Sequence, residues 1–466
     1  MQSSSERLKE LSESPVGRLL WKYSLPAVVG MVVMSLYNVI DRIYIGRGVG
    51  ADAISGLAIT FPVMNLSAAL GVLIGAGAST RVSILLGADN IRGASRVLGN
   101  ALVLTVAIGI GYISLFGIFL KDILTAFGAG PNTLPYAYDF MLYLLPGMLM
   151  INLTFSFNNI MRASGYPLRA MFTMIIGAAL NVALAPVFIF YFDMGIKGAA
   201  IASDISMTVS MIFVMSHFCR KDVTVRFQRG IYRLSASIVW SIVAIGAAPA
   251  LVNAASCLIN ILINKSLVSY GSDLAVGAAG IFVTYTSLLT TFVLGICMGM
   301  QPIVGYNYGA GRMHRLKRTY YLAAGVGTCI CTAGCIFGLF FPGLIAKTFT
   351  VDATLISVTV NALTLALPMF WMVGFQIVST TFFQSIDKAG KSIVLSLVRQ
   401  VIFLIPLLLT LPRTFGLDGV WLSFPSSDLI ATVVTALLII IQMRSLSAGG
   451  KAGPASTDTH PQPQQQ

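Results

Sequence analysis

Three carboxylates and one amide, Asp41, Asp204, Asp428 and Asn181, interrupt long apolar runs of this chain. An ionisable group inside a bilayer costs ~3 kcal/mol or more, so it marks a place where ions or polar ligands are handled. A carboxylate there can hold a proton, or Na+ if neighbouring oxygens help. Ser203, next to Asp204, supplies one such oxygen. Nothing comparable serves bond-breaking chemistry. His217 closes an apolar run, His314 lies in a basic stretch and His460 in the tail, with no HExxH helix or acid–base cluster. Six cysteines lack CxxC or zinc-ligand spacing and read as small buried residues. No GxxxxGK[ST] loop is present, so the chain carries no ATPase of its own. It is read as a non-enzyme with no cofactor beyond a coupling ion, Na+ or H+.

The elements that must position these residues follow from composition. The chain is 56% hydrophobic and 10% charged, with a mean hydropathy of +0.84. Soluble domains carry about 25% charged residues, so this chain cannot coat a water-facing surface. The apolar runs are long, which in lipid demands helices, since a helix satisfies its own backbone. Twelve spans are expected at 19–46, 54–80, 97–120, 137–161, 168–191, 196–218, 236–263, 274–303, 320–346, 354–384, 392–411 and 418–443.

Charge placement orients them. Among the 30 Lys and Arg, only Arg42, Arg47, Lys121, Lys197, Lys265, Lys347 and Arg413 follow odd-numbered spans. The remainder are assigned to the termini and to loops after even-numbered spans, which makes those cytoplasmic by the positive-inside rule. The net charge of +13 is spread over these loops, so it does not indicate nucleic acid. With this orientation Asp41 lies ~9 Å, Asn181 ~15 Å and Asp204 ~13 Å inside the outer ends of spans 1, 5 and 6. The shared depth suggests one polar site, with Na+ at Asp41, Asn181 and Asp204 as one option. Asp139 reads as a carboxylate at the start of span 4, favoured by the helix dipole.

A repeat fixes the architecture. Gly87, Ala88 and Arg96 recur as Gly309, Ala310 and Arg318, all shifted by 222, as do Asn38/Asn260, Gly77/Gly299 and Pro146/Pro368. Six spans per repeat is even, so the halves lie the same way up and enclose a cleft that rocking can open to either side. The expected organisation is a cytoplasmic segment 1–18, a six-helix lobe 19–219, a basic linker 220–236, a second lobe 237–445 and a disordered tail 446–466. Its fold class is all-α polytopic membrane protein.

Several stretches resemble the multidrug and toxic compound extrusion (MATE) family, and its DinF-like branch. They are MQPIVGYNYGA (Met300 to Ala310), the RASG turn (Arg162 to Gly165), GVWLSFPSSD (Gly419 to Asp428), SLPAVVG around Pro26 and YNVIDRIYIG (Tyr37 to Gly46). The resemblance implies two pseudo-symmetric bundles and export of amphipathic, often cationic compounds against Na+ or H+. Asn181 and Ser203 match the branch's polar positions in spans 5 and 6. With Asp41 and Asp204, singled out by their depth and charge, they are the expected coupling residues, although Asp204 stands where the family is usually apolar. Branch members commonly carry Asn-x-x-x-Asp-Pro in span 5, whereas this chain has Ala185 at the acidic position. Two readings of Asp204 stand: it replaces the missing carboxylate, or it turns to another helix. Tyr37, Met64, Phe155, Tyr285, Met298, Gln301 and Asp428 are candidates for the substrate cavity, Asp428 equally for a structural hydrogen bond. Pro26, on the helix of Asp41, is the candidate gating bend.

The competing reading is a flippase for lipid-linked or endogenous amphipathic cargo. It is weakened by a deep core assigned almost no Lys or Arg. A passive channel is disfavoured because the polar site is expected in one half only. Small amphipathic solutes and membrane lipid are the expected partners, with no nucleic acid and a functional monomer. The short loops, the absence of a targeting segment and the resemblance suggest a bacterial inner membrane, crossed many times, with both termini cytoplasmic.

Overall fold

Apolar runs of about 20 residues fold as helices here, and most of the helices outlast their runs. The computed structural model describes residues 4–49 and 51–448, and these contain helices without strands. The expected disordered tail lies outside the described residues from position 449 onward. The first eight spans are Val16–Gly48, Ala51–Gly87, Ile91–Ile118, Leu134–Ala163, Pro167–Pro186, Gly195–Phe218, Ala236–Tyr270 and Asp273–Gly309. The ninth is Met313–Phe340, and a short helix, Pro342–Phe349, takes up the end of the stretch assigned to it. Helix starts are chemically marked. Asn90 caps span 3 by accepting from Gly93 N at 2.8 Å, and Asp352 caps span 10 by accepting from Thr354 N at 2.7 Å.

Spans 10 to 12 depart from simple rods. Span 10 consists of Ala353–Ala366 and Trp371–Ser385, bent by 58° at the break containing Pro368. Span 11 starts as Ala389–Leu397 and passes through a π-helical turn, Val398–Leu404, into Ile405–Ala448. The 59-residue stretch Ala389–Ser447 would be ~88 Å long as one rod, against a hydrocarbon core of ~30 Å. It therefore divides, and Gly416 is the division, with φ 58° and ψ −136°. Only glycine adopts this conformation readily. Twelve spans result. The sharp break falls at Pro368, while Pro26 is buried inside the unbroken helix Val16–Gly48.

One expectation is corrected outright. Asp139 is not in the first turn of span 4 but further along Leu134–Ala163, where it pairs with Lys197 at 3.2 Å. The local partner is a side chain rather than the helix end.

The buried core follows the repeat. One cluster, with Phe282, Phe382, Phe383 and Trp421, fills the second half. The first half has two, around Phe157 and Phe218 and around Tyr112 and Phe140. The connection between the halves packs on the first of them through Val223 and Val225, and its Ile231 is buried against Gly99 of span 3. Asn100 fastens it, accepting from Ser235 N at 2.9 Å and donating to Arg233 O at 3.2 Å. A helix before span 1, Ser4–Glu13, buries Leu11 in the second half's core, and Arg315 donates to Ser14 O at 2.6 Å.

The halves meet backbone to backbone. A Cβ on Gly77 would stand 2.0 Å from Ile242 O, and one on Gly246 would stand 1.7 Å from Leu73 O. Gly299 leaves equal room for Ser24. Arg81 of span 2 pairs at 2.9 Å with Asp387 in the turn after span 10. Gln301 joins the seam by donating to Thr80 Oγ1 at 2.7 Å. These cross-lobe contacts all lie in the half of the molecule nearest the basic loops.

Candidate functional site

The first lobe holds a cavity of about 100 Å³ between spans 1, 4, 5 and 6, closed on one side by Met298 of span 8. Tyr37, Phe155 and Met298 line it, as the sequence suggested, and so do Asn181 and Ser203. The pair is held together: Asn181 Nδ2 donates to Ser203 Oγ at 2.9 Å. Both residues are buried, and Asn181 Oδ1 has no hydrogen-bond partner among the described residues. A buried carbonyl oxygen without a donor is an unmet acceptor, which a cation or proton donor can satisfy.

Asp41 stands one helical turn beyond Tyr37, on the same face at i, i+4 spacing. Its Oδ1 is also buried and without a partner among the described residues. Asp204 Oδ1 is likewise buried and without a partner among the described residues, but its surroundings differ. Its carboxylate packs against Gly147 of span 4, where an added Cβ would be 1.9 Å from Oδ1. It is absent from the cavity wall, although its neighbour Ser203 is in it. Of Asp41, Asn181 and Asp204, expected to converge on one site, only Asn181 lines this cavity; Asp41 lies one turn beyond its wall residue Tyr37, and Asp204 follows its wall residue Ser203. Ala185 is fully buried in the apolar cluster with Ala199 and Ala202.

Three other expected cavity residues have packing roles instead. Met64 sits against the first-lobe core, with Thr60 Oγ1 3.7 Å from its sulfur. Tyr285 donates its hydroxyl to Gly334 O at 2.6 Å inside the second lobe. Gln301 is the seam residue described above. Azimuth decides these cases: each lies at a suitable depth but on a helix face turned to a neighbour.

Sequence reasoning missed Asn158 and Arg162, which form the inner end of the first-lobe cavity. Arg162 is buried, donating from Nη2 to Asn158 Oδ1 at 2.8 Å and from Nη1 to Asn159 Oδ1 at 3.3 Å. Its presence in RASG was the available signal. Arg399 was missed too, counted with the loop charges although the expected span 11, 392–411, contains it. It lies in the π-helical turn of span 11 and donates from Nε to Asp428 Oδ1 at 2.7 Å. The second lobe thus has a polar site of its own, contrary to the expectation that only one half would. A cavity of about 330 Å³ opens beside the pair, with Asn260, Thr286 and Gln400 on its wall.

Two parallel six-span lobes, joined along one half of a shared seam and each hollowed by a polar cavity, define a multi-pass membrane protein of transporter architecture. The family model MatE matches twice, over residues 26–187 and 248–410, with starts separated by the same 222 residues as the internal repeat. The chain belongs to the MatE family. It is 26% identical over 443 residues to "Multidrug export protein MepA" of Staphylococcus aureus, spanning 94% of this chain and 96% of that one. It is 27% identical over 431 residues to "FAD transporter" of Shewanella oneidensis, spanning 90% and 93%. Among solved structures, one of MATE in the bent conformation aligns with a TM-score of 0.90 at 24% identity, over 96% of this chain and 99% of the other. An outward-facing multidrug resistance MATE family transporter aligns at 0.88, also at 24% identity, over 94% and 98%.

Proposed function

We propose that the chain is a secondary antiporter of the bacterial inner membrane, exporting amphipathic organic cations in exchange for H+ or Na+. One observation carries this reading: Asp41 buries an unpartnered carboxylate oxygen one turn from Tyr37, and Tyr37 lines a cavity of aromatic, methionine and amide side chains. A carboxylate so placed needs a counter-charge, and a proton, Na+ or cationic substrate can each provide it in turn. Mutually exclusive occupancy is what couples opposite movements. Asn181 Oδ1 and Ser203 Oγ offer the extra oxygens that Na+ requires, while H+ requires Asp41 alone.

Alternating access follows from the seam. With both termini and the basic loops placed in the cytoplasm, contact along that half leaves the cleft facing outward. A single chain encloses its own pathway, so the monomer is the working unit. The proposed cargo rests on the relatives' multidrug export; the Shewanella relative, named for FAD, supports an endogenous amphipathic cargo as the second reading.

Purified protein in liposomes, with ethidium inside and Na+ or H+ gradients imposed separately, tests the proposal. Gradient-driven ethidium movement names the ion. Movement indifferent to both gradients points to a facilitator, and none at all favours the endogenous cargo.

A further inference from the structure

We propose that the second-lobe cavity is a separate ligand site that takes amphipathic organic anions by a carboxylate or phosphate group through Arg399. This goes beyond cation export and does not depend on the ion used by the first lobe.

The geometry of the pair carries it. Asp428 has 4% of its side chain exposed and Arg399 has 28%, so the carboxylate is closed off behind a guanidinium that forms part of the cavity wall. The connection between them uses Nε alone. Neither Nη of Arg399 has a hydrogen bond to a described residue, so the free edge of a planar, permanently charged fork is available. Such an edge fits the two oxygens of a carboxylate or phosphate. Ser427 Oγ donates to Arg399 O at 2.6 Å, and Gln376 Nε2 donates to Asp428 O at 2.8 Å, fixing both backbones. The arginine is thus presented on rigid support.

The rest of the wall specifies what accompanies the anion. Gln400 Oε1 is buried without a partner among the described residues, an acceptor that calls for a ligand N–H or O–H. Phe282, Phe370 and Phe424 provide apolar surface for an aromatic or aliphatic body. A volume of about 330 Å³ is within the ~300–1,000 Å³ of small-molecule sites. Two wall residues lie at helix irregularities: Arg399 in the π turn and Phe370 at the break of span 10. Such turns recur where helices are shaped for ligands. At the repeat shift, Arg399 corresponds to Gly177 and Asp428, at 221, to Met207, so the first lobe has no copy of this pair.

Dansylglycine supplies each feature: a carboxylate, a sulfonamide N–H and an aromatic body. Dansylamide lacks the carboxylate. In detergent, the wild-type protein is expected to bind dansylglycine at least tenfold more tightly than dansylamide. Arg399→Lys, which keeps charge but loses the fork, should reduce that preference severalfold. Replacing Arg399 alone by an uncharged residue would strand Asp428, so the removal variant is the pair Arg399→Gln with Asp428→Asn. It should bind the two dyes equally while keeping wild-type ethidium affinity. Displacement of dansylglycine by phosphatidylglycerol, but not phosphatidylcholine, would make a lipid headgroup the natural anion; displacement by neither would make it a free solute. Equal binding of the two dyes by wild type overturns the proposal without any variant. So does an undiminished preference in the double variant.

Discussion

Gly87 and Gly309, 222 residues apart, each face the other's helix at the seam. A Cβ on Gly87 would stand 2.0 Å from Tyr306 O, and one on Gly309 would stand 2.0 Å from Ile84 O. The two contacts are the same contact seen from either lobe, since Tyr306 and Ile84 also differ by 222. Real Cβ atoms do not approach a carbonyl oxygen so closely, so this closure exists only for glycine. Gly87→Leu or Gly309→Leu is expected to disfavour it by about 1–3 kcal/mol, the usual overpacking penalty. Spin labels across the seam near the basic loops should then show longer distances, with transport reduced at least tenfold. Unchanged distances would refute the gate.

Arg81 and Asp387 cross the same seam as a partly exposed ion pair, with side-chain exposures of 29% and 34%. Pairs of this exposure contribute about 1 kcal/mol or less. Arg81→Ala should therefore weaken closure only severalfold, and the swap Arg81→Asp with Asp387→Arg should restore part of it. Rates of cysteine cross-linking across the seam measure this directly.

The Asn181–Ser203 hydrogen bond predicts a graded series. Ser203→Ala leaves a buried Nδ2 without its acceptor, at a cost of about 1–3 kcal/mol. Ethidium binding or thermal stability in detergent should fall accordingly, by about tenfold or by a few degrees. Ser203→Thr retains the oxygen and should behave like wild type. Equal effects of Ala and Thr would mean that volume, not the hydroxyl, matters.

Asp204 packs its carboxylate on Gly147 of span 4, turned about 100° around its helix from the cavity-lining Ser203, so Asp204→Asn is expected to preserve gradient-driven transport within about threefold. A loss as deep as that of an Asp41 variant would instead place Asp204 in the coupling step, as its depth alone suggested.

How far the sequence reached is clearest in these same residues. Depth along a span was readable, because helical rise is constant and charged loops mark the ends. The repeat was readable at single-residue precision, down to Gly87 and Gly309. Which face a side chain occupies was not, because it depends on neighbours and on local winding. Met64, Tyr285 and Gln301 have suitable depth and face other helices. Arg399 escaped for a related reason: a π turn interrupts span 11 around it, and no periodicity announces that turn. Ala185 was read correctly as a missing carboxylate, but only packing shows that apolar neighbours fill its place.

The central claim, that Asp41 couples ion entry to substrate exit, is tested most directly by pairing transport with thermal stability in Asp41→Asn. The substitution keeps size and hydrogen-bonding capacity while removing the charge. The expected result is gradient-driven ethidium movement in liposomes reduced at least a hundredfold, with the purified variant as thermally stable as wild type. Gradient-driven transport that persists in Asp41→Asn, with the same ion dependence as wild type, would contradict the account.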